Sequence, residues 1–94
     1  MEALEEQLAH LERLARALDS DAVTAKIVRR SSRPYLKVAN AGTPTLNERV
    51  YCGQAEDGSW VFQWPWWQPI GSTDDLGTVA GKITDVLRPV VGGA

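Results

Sequence analysis

The spacing of apolar positions divides the chain into two kinds of segment. Leu4, Leu8, Leu11, Ala15 and Leu18 recur at intervals of 4, 3, 4 and 3, and Leu14 widens the stripe. That is the period of a helix with one apolar face, predicted over 2–18. Glu2, Glu5 and Glu6 sit in its first turns, where the helix dipole favours negative charge. Glu12 and Arg16 are spaced to pair at i,i+4. The stripe suits a coiled-coil seam or packing on the protein's own sheet, and fewer than three heptads favour the sheet. From Ala22 onward the period changes to two. Alternation predicts strands over 22–30, 35–39, 47–53 and 59–64, separated by Ser31-Ser32-Arg33-Pro34, Asn40-Ala41-Gly42-Thr43-Pro44 and Glu56-Asp57-Gly58. A second helical stripe, Leu76, Val79, Ala80, Ile83, Leu87 and Val90, predicts a helix over 73–88. Ser72 is its expected cap, and S-T-D-D approximates a capping box. The expected fold is α+β in the order α-β-β-β-β-α. It is a four-stranded antiparallel meander with two helices packed on one face, in a single domain spanning 1–94.

Hairpin parity decides which side of the sheet is core. A three-residue loop Glu56-Asp57-Gly58, with Gly58 left-handed, sets Ala55 opposite Ser59 and Cys52 opposite Phe62. Val50, Cys52, Trp60, Phe62 and Trp64 then share one apolar face, joined by Val23, Ala25, Ile27, Leu36 and Val38. A four-residue loop would place Arg49 and Tyr51 beside Trp60 and Phe62 instead. The opposite face carries Lys26, Val28, Arg30, Tyr35, Lys37, Arg49, Tyr51, Val61 and Gln63, and is cationic and aromatic.

The stretch Trp60–Trp67 holds all four tryptophans and the only phenylalanine, so the core must be built over it. Pro65 ends regular pairing there, for want of an N–H. Adjacent Trp66 and Trp67 cannot both point inward, so one is expected at the core edge and the other at the surface.

Charge adds one point. The net value is −2, which disfavours the whole molecule as an electrostatic binder of nucleic acid. Acids concentrate in the helices, however, and the charged residues between Ala22 and Asn47 are all basic. The small total therefore conceals two surfaces of opposite sign. Two tyrosines on a sheet could stack bases, but the aromatic strings of RNA-recognition sheets are absent.

Candidate chemistry is sparse. Cys52 is the single cysteine, which excludes an internal disulfide and fits a reducing, cytoplasmic setting. It is expected in the core, with His10 on the polar side of the first helix, so the two do not read as nucleophile and base. One Cys and one His do not make a metal set, and no phosphate-binding glycine motif occurs. No apolar run approaches the length of a membrane span. No cofactor, no metal and no catalytic residue is expected. The candidate binding face is Lys26, Arg30, Tyr35, Lys37, Arg49 and Tyr51, with Trp66 and Trp67 at its rim. It suits an acidic protein partner, a homodimer, or both. A Trp-lined pocket for a small ligand is the alternative.

The segments E48-R-V-Y-C, D57-G-S-W-V-F-Q-W-P-W and P69-I-G-S-T-D-D-L resemble a set of small actinobacterial proteins with a tryptophan-rich strand, then P-I-G, then an acidic helix start. The resemblance covers roughly the C-terminal half and implies no catalytic residue. More loosely, the helix–meander–helix order is similar to type III secretion chaperone-like proteins, without the helix those carry between strands three and four. That similarity implies a dimer that binds segments of other proteins.

Overall fold

A computed structural model describes residues 2–18, 22–29 and 33–88. It has two helices and five strands. They are α1 (Glu2–Ala17), β1 (Val23–Val28), β2 (Tyr35–Asn40), β3 (Asn47–Gln54), β4 (Trp60–Gln63), β5 (Pro69–Ser72) and α2 (Leu76–Val86). The strands form one antiparallel sheet in chain order, β1-β2-β3-β4-β5. The architecture is α+β, with five strands rather than the expected four.

The added strand corrects the sequence reading. Pro69-Ile70-Gly71-Ser72 has the composition of a loop, yet it pairs with β4 along the sheet edge. Proline is compatible with the first position of an edge strand, where no partner needs its missing N–H. Ser72 is therefore a strand residue and not a helix cap. Its Oγ accepts a hydrogen bond from the Asp74 N–H at 3.1 Å. Asp75 occupies the N-cap position of α2 without a side-chain capping bond, so the capping box does not form. The helix starts at Leu76, three residues later than predicted.

The β3–β4 hairpin has the parity argued above. Ala55 N–H bonds to Ser59 C=O at 2.8 Å and Gly58 N–H to Ala55 C=O at 2.9 Å. Gly58 has φ +86°, and Cys52 faces Phe62. Glycine takes this left-handed position without a Cβ clash. Val23, Leu36, Val38, Val50, Cys52, Phe62 and Trp64 consequently lie buried together, with Ile70 from β5. α1 closes this layer with Leu11, Leu14 and Leu18, and α2 with Val79, Ile83 and Leu87. Gly71 allows the close packing of β5 on α2, since a Cβ there would stand 2.8 Å from Val79 Cγ2.

Side chains tie the layers at their ends. Asn40 Nδ2 donates to Leu87 C=O at 2.9 Å, capping the end of α2, while its Oδ1 accepts from Gly42 N–H and Thr43 N–H. Lys82 Nζ donates to Ile70 C=O at 2.9 Å and fixes α2 to β5. Glu12 pairs with Arg29 at 3.2 Å, joining α1 to the end of β1, and not with Arg16 one turn along its own helix. His10 is not on a solvated face either. Its ring lies 5.5 Å from that of Trp60, and its Nδ1 is buried without a hydrogen-bond partner.

Candidate functional site

The outer side of the sheet is built from residues whose neighbours on the same strands fill the core. Strand register arranges them in rows across the sheet. Lys26 faces Lys37, and Lys37 faces Arg49. Three cations thus stand in line on β1, β2 and β3, about 4.8 Å apart from strand to strand. Like charges directly opposite one another destabilise a sheet. Among the described residues no carboxylate points from this face, and none of the three makes an ion pair.

The next row is aromatic. Val28 faces Tyr35, and Tyr51 faces Gln63. The Tyr35 and Tyr51 rings lie 5.6 Å apart, and Trp67 continues the row at 5.8 Å from Tyr51. Guanidinium groups cover these rings. Arg49 Cζ lies 4.9 Å from the Tyr35 centroid. Arg33 Cζ lies 5.2 Å from that of Tyr51 and 4.6 Å from that of Trp67. Each such contact contributes about 0.5–1 kcal/mol at an exposed site. The pKa of Arg49 is raised, first by hydrogen bonding to the Tyr51 side chain and then by the proximity of Tyr35. Gly53 gives Arg33 its path over β3, for a Cβ there would stand 3.2 Å from Arg33 Nη2 and 2.9 Å from Gln63 Oε1.

Trp67 reaches this row through its backbone. The β4–β5 loop Pro65-Trp66-Trp67 repeats the hydrogen bonding of Glu56-Asp57-Gly58. Trp64 N–H bonds to Gln68 C=O at 3.0 Å, and Trp67 N–H to Trp64 C=O at 2.9 Å. Trp67 stands where the first hairpin has Gly58, at φ +67°, the sole non-glycine residue with positive φ among the described residues. The two adjacent tryptophans are equally exposed, at 55% each, so neither tucks into the core edge. That place is taken by Trp64, 6% exposed. Trp66 stacks on Trp64 with centroids 5.5 Å apart and donates its Nε1–H to Gln68 Oε1 at 2.8 Å.

The structure therefore brings together Lys26, Lys37, Arg49, Tyr35, Tyr51 and Trp67, and leaves Trp66 on a different stack. Arg30 lies outside the described residues. Arg33 belongs to the site through its stacking on Tyr51 and Trp67, although its position lies in the turn before β2, outside the strand alternation. A concavity of about 420 Å³ lined by Lys26, Ile27, Val28, Arg29, Tyr35 and Lys37 wraps the free edge of β1 beside the cation row.

Elsewhere, burial pushes the Cys52 thiol up to about 12, with Arg33 opposing, which leaves it protonated and unreactive near neutrality. His10 is lowered below its ordinary value by burial and then by Arg13, while Glu6 and Asp74 oppose. Among the described residues no group of three His, Cys, Asp or Glu side chains could hold a metal, and no helix is long and apolar enough to cross a membrane. Comparison with protein-family models, with curated proteins and with solved structures gives no match.

Proposed function

We propose that the protein is a non-enzymatic interaction module whose outer sheet face docks an acidic surface of a partner protein. The observation that carries this reading is the row Lys26–Lys37–Arg49. Three cations that make no ion pair among the described residues are aligned across adjacent strands beside an aromatic row. The arrangement is unfavourable for the isolated sheet and is relieved by an anionic partner. Tyrosine, tryptophan and arginine are also the side chains that dominate interface energetics. The small-ligand alternative has less support, since the concavity beside the cation row is lined by no tryptophan.

Fluorescence anisotropy with a labelled peptide of alternating glutamate and leucine tests the reading. The wild-type protein is expected to bind it and to ignore the lysine counterpart. Lys37→Glu with Arg49→Glu is expected to weaken binding at least about tenfold, equivalent to about 1.4 kcal/mol, at unchanged circular dichroism. Equal binding by the double variant would refute the role of this face. Tighter binding of a single-stranded oligonucleotide than of the peptide would replace the protein partner with nucleic acid.

A further inference from the structure

We infer that two copies of this chain join through the free edge of β1, which pairs antiparallel with itself about Ala25 so that the two sheets run on as one. The inference goes beyond the acidic-partner reading and does not depend on it. Hydrogen-bond phase carries it. Ala41 N–H donates to Ala22 C=O at 2.9 Å, one step beyond the pair Val23–Asn40. Bonded and non-bonded pairs alternate along an antiparallel ladder. Thr24, Lys26 and Val28 therefore turn their main-chain groups to β2, while Val23, Ala25 and Ile27 turn theirs away from it. Asn40, opposite Val23, agrees with this phase, since its N–H bonds to Leu46 C=O on the β3 side. β1 is the outermost strand of the sheet, and among the described residues no strand pairs with its outward edge. Concavities flank that edge, one of about 420 Å³ at Lys26–Arg29 and one of about 240 Å³ against Ala22 and Val23. The opposite edge is built differently. β5 is four residues long and starts with proline, and its pairing with β4 shifts register between Phe62 and Gln63. Such features discourage a further strand. β1 has six residues in unbroken register, without proline or glycine.

The sequence of β1 selects a second copy as the occupant. With Ala25 opposite its own counterpart, Val23 of each copy meets Ile27 of the other, and each of these pairs exchanges both N–H···O bonds. Ala25 and Ile27, half-buried against the core of a single chain, gain apolar neighbours on the same side of the sheet. On the outer side Lys26 of each copy meets Thr24 of the other. Asp21 stands four residues before Ala25 and Arg29 four after, so the same register sets opposite charges at equal distances from its centre. Asp21 lies outside the described residues, and this match is one of sequence alone. Moving the two-fold to Lys26 sets lysine against lysine, and moving it to Thr24 sets Ile27 against Asp21. The contact uses the same surface on both copies, so it closes on the pair and leaves no β1 edge to recruit a third. The two-fold axis runs through the sheet. Both cation rows therefore stay on one side, with Lys37 and Arg49 outside the joint.

Light scattering and amide hydrogen exchange on the intact protein test this together. One ladder with few side chains is in the size range of weak associations, so the protein is taken to about 1 mM. A mass twice the 10.3 kDa chain is expected there, falling to the monomer on dilution. Exchange of the Val23, Ala25 and Ile27 N–H groups should slow several-fold as the dimer fills, while Thr24 and Lys26 stay slow throughout. Thr24→Glu meets Lys26 of the other copy in both halves of the joint and should tighten the dimer at least about threefold. Thr24→Lys should loosen it by as much. Within its own sheet this exposed position faces Ala39, so both variants are expected to fold. A monomer at about 1 mM, fast exchange of the three amides in a dimer of proven mass, or equal responses to glutamate and lysine at position 24 would overturn the inference. Slow exchange of the three amides in the monomer would overturn it as well, by showing the edge filled from within the chain. Lys37→Glu with Arg49→Glu should leave the dimer mass unchanged while weakening capture of the acidic peptide, which separates the failure of one reading from that of the other.

Discussion

Trp67 is held in a conformation that costs an L-residue about 1–2 kcal/mol, in a loop whose twin uses glycine. What the strain achieves is placement, since it turns the indole onto the outer face against Tyr51 and Arg33. Trp67→Gly is therefore expected to leave the melting temperature unchanged or slightly raised, as relief of the backbone offsets the lost cation–π contact. The same change should weaken binding of the acidic peptide by several-fold. A large loss of stability would show that the indole supports the fold instead. In the sequence Gly58 announces its turn and Pro65 announces the next, but tryptophan has no left-handed preference to read. Only the repeat of loop length between the two hairpins could have given Trp67 away.

At the scale of elements, alternation was sufficient for β1 to β4 because each has one face in the core. It was insufficient for β5, a four-residue edge strand with proline at its start and glycine inside. That strand exists because Phe62 and Val61 offer it partners and Ile70 fills the core beneath. α1 was legible as a helix, yet its docking was not. His10 falls off the leucine stripe of the helix and still meets Trp60, with ring centroids 5.5 Å apart. The lowered His10 pKa has a consequence for stability. Above its ordinary value of 6.5 the imidazole is neutral in both folded and unfolded chains, and its packing is undisturbed. As pH falls below 6.5 the unfolded chain takes up the proton first, so stability declines until the folded value is passed. Urea midpoints measured from pH 7.5 to 5 should show this decline, and His10→Gln should flatten it. An equal slope in both proteins would assign the effect to the carboxylates.

At the scale of the whole molecule, one cluster joins both helices to all five strands, and Trp64 lies in it. Trp64→Ala is expected to cost about 3–5 kcal/mol. Domains of this kind have about 5–15 kcal/mol in total, so a large part of the stability would go. Denaturant melts check this, and a loss near zero would place Trp64 outside the cooperative core. The cation row of the outer face was legible because parity assigns every strand residue to a side, although the total charge conceals it. Arg33 escaped because a turn has no parity. The strict order of the sheet reaches further still. Every strand pairs only with its neighbours in sequence, so each hairpin can close as soon as its second strand has left the ribosome. α1 and α2, which meet across the core, stand before and after that whole meander. During synthesis the sheet can thus assemble while the side that α2 will cover is still bare. The growing chain passes through an interval in which Phe62, Ile70 and their neighbours are shielded by half a lid.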